Sequence, residues 1–557
     1  MLNLPDKQYA VQLVGPDELV LNKSKEVFRP GGHQLLCRVE AVGLCFSDLK
    51  LLKQFSSHVR KSQIVSGIDL EILERIPSYV PGEAPTVPGH EAVVRIEAVG
   101  DSVKDFEPGR RYLVQTDYRW LPTAASSNAA FGYNFEGALQ EYVLMDTRII
   151  TSPEGDLMLL PVGEELSCSA IALVEPWACV EDAYASKERT GIKAGGKMLV
   201  VADKDVSEGV FENLFDQYDR PGQITWLGRA TPPDKLGVPV KKAADISGLP
   251  DAGFDDVIYF GSNPEIVESL FAKTGTSGLL NIVLCGGSFG RDIVTPVGRV
   301  HYGGIRIIGT KGSDPAESME IIPDTDEIRS GDRINVVGAG GPMGLMHVVR
   351  NICQDVEGVS VFAGDVDDGR LETLSKIAEP LADKNCIWYQ TYNPTKEKIP
   401  GAFDYTALMA PIPALVSAAV KDAEPRGLIN IFAGIPAAVT GQIDLDMYIE
   451  KGLFFIGTSG STLDDMKRML EKVESGRLDT NLSVAAVCGL AGATDGIRAV
   501  ENRSIAGKII VYPACRTMGL VPLNEMEQKM PDVADCLNDG LWTKQAEQKL
   551  LEKYKVP

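Results

Sequence analysis

The sequence lacks several features that would assign it to a special class of protein. No apolar run is long enough to span a bilayer, and the first residues do not form a charged segment followed by an apolar one, so we expect a cytoplasmic protein without a membrane partner. Lysine and arginine number 55 against 77 acidic residues, and the resulting net charge of −22 argues against a nucleic-acid partner, because phosphates would repel such a surface. The 10 cysteines show no repeated short spacing, which indicates reduced thiols rather than a disulfide framework.

The composition is that of a globular protein, and the length indicates more than one domain. Hydrophobic residues make up 44% of the chain and charged residues 24%, which excludes an intrinsically disordered protein. The length of 557 residues exceeds the size at which a single core keeps growing, so two or more domains are expected. In residues 8–45, apolar and polar positions alternate between glycines and prolines, which predicts short antiparallel strands.

Three short segments place metal-binding side chains along the chain. Cys45 lies in the segment GLCFSD, His90 and Glu91 lie in PGHE, and Glu175 lies in LVEPW. Zinc binds cysteine sulfur, histidine nitrogen and carboxylate oxygen tetrahedrally, and a catalytic zinc site keeps one position open. A histidine beside a carboxylate is by itself more often structural, so the zinc hypothesis depends on the whole set.

Two later segments in succession have the pattern of doubly wound α/β units. The first begins with an apolar strand at 197–203, but the turn after it, KDVSE at 204–208, contains no glycine. Without small residues the backbone cannot approach a pyrophosphate, and the acidic side chains would repel it. The first segment is therefore predicted to be a degenerate Rossmann-like domain without a nucleotide.

The second segment has a glycine-rich turn between a strand at 333–337 and an apolar helix. Such a turn brings backbone amides and a helix N-terminus to a pyrophosphate. The spacing of its glycines departs from GxGxxG by one residue, unless Ala339 takes the first position. The candidate cofactor-binding residues of the turn are Gly338, Gly340, Gly341, Met343 and Gly344.

An acidic residue after the next strand bears on the choice of nicotinamide cofactor. Asp365 follows the last glycine by about 20 residues, where a carboxylate accepts hydrogen bonds from the adenosine ribose. A carboxylate there disfavours a 2′-phosphate, so NAD is predicted, while the nearby Arg370 leaves NADP open.

The two α/β segments also resemble each other at their ends. Residues 305–313 (IRIIGTKGS) and 453–461 (LFFIGTSGS) are similar, and they lie 148 residues apart (453 − 305 = 148), about the length of one domain. Duplication of one domain is the simplest explanation.

Taken in order, these motifs resemble the zinc-dependent medium-chain alcohol and polyol dehydrogenases, in particular the sorbitol dehydrogenase branch and L-sorbose-1-phosphate reductase-like enzymes. The resemblance covers about residues 10–200 and 325–515. It implies a mixed β and α/β fold, with a chaperonin-10-like β-rich catalytic domain and two tandem doubly wound parallel-sheet domains, the first degenerate. The expected domains are 1–190 completed by 480–516 (catalytic), 191–325 (degenerate Rossmann-like), 326–479 (NAD-binding Rossmann) and 517–557 (helical tail).

The resemblance also implies a single catalytic zinc. Cys45 and His90 are the expected ligands, and Glu91 or Glu175 would coordinate directly or through water. The family's second, structural zinc lobe is expected to be absent, because the stretch 115–137 lacks its closely spaced cysteines. Zinc would polarise the substrate oxygen and lower the pKa of the bound alcohol.

Further roles follow from the same resemblance. Asp48 is expected to orient His90, and Ser47 to relay the hydroxyl proton, although Ser47 also suits a simple turn residue. Glu91 is a catalytic candidate as well as a ligand candidate. Lys50 lies where some relatives carry a relay histidine, which leaves the proton's route to solvent open.

The spacing from Cys45 to His90 is longer than expected for the family, and the surplus lies in an insertion at about residues 54–85. This insertion contains His58, Arg60 and Lys61, a local cationic cluster in an acidic protein. The cluster is expected either to bind a substrate phosphate through charge-assisted hydrogen bonds or to be a solvated loop.

Three functions are consistent with these features. The leading one is hydride transfer between a nicotinamide cofactor and a secondary alcohol or ketone of a polyol, sugar or sugar phosphate. The alternatives are an epimerase or lyase that oxidises its sugar transiently, and a non-catalytic binding or scaffold protein. A scaffold has no physical need for the metal set or the glycine turn, which argues against the last.

Subunits of the family commonly dimerise by pairing the last strands of their nucleotide domains. We expect the degenerate domain to take the partner's place, giving an intrachain pseudo-dimer and covering an open sheet edge. A homo-oligomer remains possible. The tail has apolar positions at helical spacing and is expected to pack on the core or on a partner subunit; these positions are Trp542, Ala546, Leu550 and Tyr554.

Overall fold

The computed structural model describes residues 4–207, 209–228, 232–233, 236–458 and 460–554. Two residues of the sequence motifs lie outside this described part of the chain: Glu208 in the turn 204–208 and Ser459 in the segment 453–461. The chain divides into two compact units, Met1–Cys179 with Ser461–Pro557, and Val180–Gly460. Both Rossmann-like segments lie in the second unit.

These units correct the expected domain boundaries at three places. Residues 180–190, expected in the catalytic domain, belong to the second unit, whereas 461–479, expected in the NAD-binding domain, belong to the first. The tail 517–557 is also part of the first unit rather than a separate domain. The reason for the second correction is packing, because Leu463 contacts the apolar core of the first unit.

The N-terminal part of the first unit is rich in strands. Antiparallel strands are found in residues 8–45, as predicted: β1 pairs with β2, and β3 pairs with the later strand β4. The strands are β1 (Lys7–Gly15), β2 (Glu18–Glu26), β3 (Gln34–Gly43), β4 (Glu91–Val99), β5 (Arg111–Val114), β6 (Asp117–Pro122), β7 (Asn128–Ala130), β8 (Tyr142–Asp146) and β9 (Leu159–Val162). The helices are α1 (Phe46–Gln54), α2 (Leu70–Leu73), α3 (Thr147–Ile150), α4 (Cys168–Ala172) and α5 (Val174–Ala185).

The first half of the second unit contains a six-stranded parallel sheet of order β12-β11-β10-β13-β14-β16. Its strands are β10 (Lys197–Ala202), β11 (Gln223–Gly228), β12 (Val240–Lys242), β13 (Phe254–Phe260), β14 (Thr274–Val283), β15 (Ile293–Thr295) and β16 (Arg306–Thr310). Its helices are α6 (Val210–Gln217), α7 (Pro264–Lys273), α8 (Val297–Gly303) and α9 (Pro315–Met319).

The second half has a parallel sheet with the corresponding strand order, β19-β18-β17-β20-β21-β23. The strands are β17 (Arg333–Val337), β18 (Ser360–Gly364), β19 (Trp388–Tyr392), β20 (Phe403–Leu408), β21 (Ala423–Asn430), β22 (Gly441–Ile443) and β23 (Phe454–Ile456). The helices are α10 (Pro342–Ile352), α11 (Asp368–Asn385), α12 (Pro413–Asp422) and α13 (Leu445–Lys451).

The ends of the two halves correspond residue for residue and contact each other. Strand β22 begins 148 residues after β15 (441 − 293 = 148), and the same offset relates α13 to α8 and the start of β23 to that of β16. The glycines that end the two helices, Gly304 and Gly452, have left-handed φ angles of 60° and 59°. Strands β15 and β22 pair antiparallel, Tyr448 Oη donates to the carbonyl of Ile307 at 2.8 Å, and one apolar core includes residues of both halves.

The C-terminal part of the first unit completes an eight-stranded sheet of order β26-β24-β25-β3-β4-β5-β9, with β8 paired to β3. Its elements are α14 (Leu463–Glu474), β24 (Val484–Cys488), α15 (Leu490–Asn502), β25 (Lys508–Val511), β26 (Val521–Pro522), α16 (Met526–Lys529), α17 (Pro531–Ala534) and α18 (Lys544–Lys553). The pairing of β25 with β3 brings the start of β25 next to the metal-binding segments. Among the described residues, no helix has the length and apolar character needed to cross a membrane.

The tail packs on the first unit through a buried acidic side chain. Leu550 in α18 is buried, and Trp542 is buried as well, although it precedes this helix. Glu547 accepts hydrogen bonds from the backbone N–H groups of Cys168 and Ser169 at 2.6 and 2.8 Å, and thereby caps α4. Tyr512 Oη also donates to this carboxylate, at 2.9 Å.

Candidate active site

Cys45 caps the N-terminus of α1 directly after the buried strand β3. The backbone N–H of Ser47 points at Cys45 Sγ at 3.5 Å, and the backbone N–H of Cys45 donates to Asp48 Oδ2 at 3.0 Å. The Cys45 side chain also accepts from the backbone N–H of Asp48, so Cys45 and Asp48 form a reciprocal capping box in which the thiol takes the usual place of a hydroxyl. The cap holds the cysteine sulfur at a helix N-terminus, where negative charge is favoured.

His90 reaches the same place from the start of β4. Its Nδ1 lies 3.1 Å from Asp48 Oδ1, so one carboxylate contacts the segments that carry both ligand candidates. Because Asp48 occupies Nδ1, the other ring nitrogen is the one available to a metal. The expected orienting role of Asp48 therefore has a geometric basis.

Glu91 completes a compact group of donors. The ligand atoms of Cys45, His90 and Glu91 lie within 4.8 Å of one another. Glu91 Oε1 accepts a hydrogen bond from Lys508 Nζ at 2.5 Å, whereas Glu91 Oε2 is buried without a partner. A sulfur, a nitrogen and an otherwise unsatisfied carboxylate oxygen are a donor set that fits zinc.

A glycine across the sheet makes room for this carboxylate. Gly43 is the partner of Glu91 in the register of β3 and β4. A Cβ atom at Gly43 would lie 2.1 Å from Glu91 Oε2. Any larger residue there would therefore displace the carboxylate from the donor group.

Glu175 lies near the donor group but outside it. The structure brings together Cys45, His90 and Glu91, and Glu175 is buried at the start of α5. Burial raises the pKa of Glu175, and the like charge of Glu91 acts in the same direction, while His90 and Lys508 oppose them. The charged side chains of the donor group therefore affect the pKa of Glu175.

Asp48 and His90 influence each other's protonation as a buried pair. Burial alone would raise the pKa of Asp48, but the charge and hydrogen bond of His90 hold it below its usual value. For His90, burial acts against protonation, and the effects of Tyr133 and Asp48 outweigh it and raise its pKa. The pair therefore favours an ionised Asp48, which is the state that accepts a hydrogen bond from the ring.

Ser47 and Lys50 lie on α1 beside Cys45. Ser47 is half-buried in the first turn of the helix, and Lys50 is exposed on the next turn. The position of Ser47 two residues from Cys45 is consistent with a relay hydroxyl, and this role stays a prediction.

Two site residues were not foreseen from the sequence. Lys508 is 94% buried at its side chain, and it was detectable as a lysine that begins an otherwise apolar strand, KIIV. Tyr133 places its ring 5.6 Å from the ring of His90. Its only signal was an aromatic-rich segment, FGYNF, in the stretch 115–137, which contains no cysteine.

The cationic side chains of the insertion are buried or paired within the protein rather than solvated. Lys61 is fully buried and donates to the carbonyls of Val80 and Ala84. Arg60 forms a two-pronged ion pair with Asp117, with N–O distances of 2.5 and 3.3 Å. Burial, together with the charges of Arg60 and Lys50, lowers the pKa of His58 to about 4, so this histidine is neutral at pH 7.

The glycine-rich turn of the second unit has the close approaches that a nucleotide-binding turn requires. Gly338 has a φ of +84°, and a Cβ at Gly344 would lie 2.4 Å from the Gly338 carbonyl oxygen. The backbone N–H of Gly340 donates to Asp365 Oδ2 at 3.0 Å. A Cβ at Gly340 would also lie 2.6 Å from the Cβ of Arg370, which places Arg370 beside the turn.

The spacing of these constraints selects one of the two sequence registers. Gly338, Gly340 and Gly344 are the sterically restricted positions, whereas a Cβ at Gly341 would meet its nearest atom at 3.7 Å. Gly341 caps α10, and Met343 lies in the first turn of that helix. The helix N-terminus therefore faces the turn in the arrangement that binds pyrophosphate.

The corresponding turn of the first half is built differently. Asp203 follows β10 and accepts a hydrogen bond from Tyr259 Oη at 2.8 Å. Residues 203–205 carry a lysine between two aspartates, where the second half has glycines. The described part of this turn offers acidic side chains to a pyrophosphate, which is unfavourable.

Comparison with known proteins gives the context of this geometry. Residues 31–154 match the family described as alcohol dehydrogenase GroES-like domain. The chain is 24% identical over 398 residues to mannitol-1-phosphate 5-dehydrogenase of Aliivibrio fischeri, covering 62% of this chain and 90% of that protein. It is 25% identical over 227 residues to L-sorbose 1-phosphate reductase of Klebsiella pneumoniae, covering 39% of this chain and 54% of that protein.

A solved structure shares the fold. The 2R,3R-butanediol dehydrogenase of Bacillus subtilis superposes with a TM-score of 0.52 at 14% identity, covering 91% of this chain and 99% of that one. The GroES-like domain and the parallel Rossmann-like sheets predicted from the sequence are present. Residues 31–154 of the chain thus form an alcohol dehydrogenase GroES-like domain.

Proposed function

We propose that this protein is a zinc- and nicotinamide-dependent oxidoreductase that transfers hydride between the cofactor and a secondary alcohol or ketone of a polyol, sugar or sugar phosphate. The observation that carries the proposal is the donor group of Cys45, His90 and Glu91, with one buried Glu91 oxygen left unsatisfied. A buried carboxylate oxygen without a partner costs about 1–3 kcal/mol, and a bound cation removes that cost. The names of the two sugar-phosphate relatives support the substrate class.

The residues around the donor group have distinct tasks in this proposal. When bound, zinc polarises the substrate oxygen and lowers the pKa of the alcohol. Asp48 holds the His90 ring in one tautomer, and Lys508 neutralises part of the Glu91 charge in the buried site. Ser47 would take the hydroxyl proton and pass it toward solvent.

The cofactor is proposed to be NAD, held by the turn at 338–344. Asp365 accepts the Gly340 N–H and stands at the end of β18, the position from which a carboxylate binds ribose hydroxyls. The adjacent Arg370 is the residue through which NADP would bind if the preference were reversed. A single zinc is proposed, because the stretch 115–137 contains no cysteine.

The experiment combines metal analysis with a substrate panel. The purified protein should contain one zinc per chain and produce NADH on a polyol panel that includes phosphorylated members. Cys45→Ser should lose zinc and activity, whereas the matched control Cys386→Ser, at an exposed cysteine, should keep both. A zinc-free protein would contradict the proposal, and zinc without net NADH production would favour the epimerase or lyase.

The two halves of the second unit are proposed to be a duplicated domain in which the first copy lost its nucleotide. Supporting features are the common strand order, the constant offset of 148 residues at the ends (441 − 293 = 148) and the antiparallel pairing of β15 with β22. The first copy would then serve as a built-in dimer partner. One NAD bound per chain in calorimetry supports this assignment, and two would refute it.

A further inference from the structure

We propose that the Arg60–Asp117 ion pair binds substrate hydroxyl groups next to the reacting carbon and so selects for vicinal polyols. The inference rests on the proposed oxidoreductase function and deepens it by naming what the substrate must carry. Three features of the pair support it: the position of the pair relative to the donor group, the hydrogen bonds that fix the segment carrying Arg60, and the balanced charge of the pair.

Arg60 lies against the same aromatic ring as His90 of the donor group. The Arg60 guanidinium carbon is 5.5 Å from the centre of the Tyr133 ring, and the His90 ring centre is 5.6 Å from the same point. Although burial disfavours the charged guanidinium, Asp117 and, more weakly, Glu175 raise the pKa of Arg60. Arg60 is therefore one aromatic ring away from the proposed zinc ligand and within the electrostatic reach of Glu175.

The insertion that carries Arg60 is fixed to the hairpin that carries Asp117. The N–H of Val65 donates to the carbonyl of Pro122 in β6 at 2.9 Å, and Asn134 Nδ2 donates to the carbonyl of Ser62 at 3.2 Å. A Cβ at Gly67 would lie 2.4 Å from the carbonyl oxygen of Trp120, which shows how closely the two segments approach. Both partners of the ion pair are thus held on one preorganised surface.

The charge of this surface fits hydroxyls better than phosphate. His58 is neutral, Lys61 is engaged by two carbonyls, and the charge of Arg60 is balanced by Asp117. A hydroxyl both donates and accepts, so it matches a pair that offers guanidinium N–H groups and carboxylate oxygens together. A phosphate only accepts and would meet the Asp117 carboxylate as a like charge.

The pair is also partly open to a ligand. The side chains of Arg60 and Asp117 are 29% and 10% exposed, so part of the pair is open to solvent in a largely desolvated setting. Hydrogen bonds to charged groups in such settings are strong, and a site built for a substrate hydroxyl discriminates against the analogue that lacks it. From the strength of one charge-assisted hydrogen bond, we expect about a 10- to 100-fold preference.

The test compares a vicinal diol with the corresponding secondary monoalcohol. The double variant Arg60→Gln/Asp117→Asn removes the ion pair without leaving one charge unpaired. It should lower the ratio of kcat/KM for the diol to kcat/KM for the monoalcohol by about 10- to 100-fold, mainly through KM of the diol. Arg60→Lys should lower the ratio as well, because lysine lacks the planar fork.

The matched control removes an ion pair elsewhere in the same unit. Arg29 and Asp6 form a pair whose side chains are 49% and 91% exposed, and Arg29→Gln/Asp6→Asn should leave the ratio unchanged. Zinc content and the melting temperature of each variant show whether the fold is intact. An equal loss on diol and monoalcohol would make the pair purely structural and overturn the proposal.

A third substrate distinguishes hydroxyl from phosphate recognition. Loss of activity confined to the phosphorylated form of a polyol would show an anion anchor and overturn the hydroxyl assignment. If the wild-type protein produced no NADH from any of these substrates, the oxidoreductase proposal itself would fail. Activity on the monoalcohol with no dependence on the pair leaves the oxidoreductase proposal standing and removes only this inference.

Discussion

Lys508 Nζ lies 2.5 Å from Glu91 Oε1, and the two side chains form a fully buried ion pair between β25 and β4. The lysine also donates to the carbonyl of Leu44, next to Cys45, at 2.9 Å. One cation therefore contacts two of the segments that carry the donor group. The proposed metal site therefore includes a contact with a residue 417 positions away in sequence.

Replacing this lysine should destabilise the protein strongly. Lys508→Met leaves the Glu91 carboxylate buried without its cation, which costs about 3–5 kcal/mol of the free energy of unfolding. Denaturant unfolding measures the loss. Lys53→Met, which breaks an exposed pair with Asp17, is the control and should cost less than about 1 kcal/mol. Equal losses in the two variants would contradict the importance of the buried pair.

Adding one methyl group at Gly43 should impair metal binding. The Cβ of Gly43→Ala would lie 2.1 Å from Glu91 Oε2, so the carboxylate must move away from Cys45 and His90. We expect zinc affinity to fall about 10- to 100-fold, as for other disturbances of ligand orientation. Competition with a chelator measures the affinity. Gly519→Ala, at an exposed glycine with no atom near the added Cβ, should bind zinc like the wild type.

The stability of the second unit should decrease in acid because of His347. This histidine is fully buried, its Nδ1 lies 2.7 Å from Tyr184 Oη, and burial together with Arg350 lowers its pKa to about 3. Below pH 6.5 the unfolded chain binds a proton that the folded chain does not, so stability is complete above that pH and falls as the pH drops toward 3. The loss at pH 5 should be about 2 kcal/mol.

The variant His347→Phe separates this effect from other titrating groups. Phenylalanine can pack against Phe432, whose ring centre is 4.5 Å from that of His347, and it cannot bind a proton. Unfolding free energies measured between pH 7 and pH 5 should therefore show a shallower slope than in the wild type. An unchanged slope would mean that His347 does not titrate as described.

The contact between the two halves should be sensitive to a methyl group at Gly298. In α8, a Cβ at Gly298 would lie 2.1 Å from the carbonyl oxygen of Pro436, so Gly298→Ala must push the halves apart, at a cost of about 1–3 kcal/mol. Gly303→Ala, in the same helix, meets nothing closer than 3.6 Å and should be neutral or slightly stabilising. Thermal unfolding distinguishes the two, and equal melting temperatures would show that the contact is unimportant.

The local parts of the site could be predicted from the sequence, because neighbouring residues build them. Asp48 caps its own helix, and it was named as the partner of His90, which the structure places at 3.1 Å. The glycine turn after β17 and the helix after it follow from local conformational requirements. The tail was predicted to be a packed helix from the spacing of Trp542 and Leu550.

The other parts depend on contacts between distant segments, which one sequence does not reveal. Arg60 was predicted to belong either to a cationic cluster that binds a substrate phosphate or to a solvated loop, and its balancing charge, Asp117, lies on a separate hairpin. Residues 463–474, which form α14, fell within the predicted NAD-binding domain 326–479. The packing of Leu463 and the contacts of 461–479 place this helix in the first unit. Glu175 was predicted as a possible ligand from family order, and the structure places it beside the donor group.

The antiparallel pairing of β15 with β22 joins two unlike halves, whereas the symmetric contact of a homodimer joins identical ones. In a homodimer, every substitution appears on both sides of the contact at once, so neither side can give up a catalytic feature and leave it to the other. A contact within one chain removes that restriction, and each side can mutate independently. Under the proposed duplication, the turn after β10 could exchange glycines for acidic residues while the turn after β17 kept the proposed nucleotide site. Since the two sides are covalently joined, dilution cannot separate them at any protein concentration.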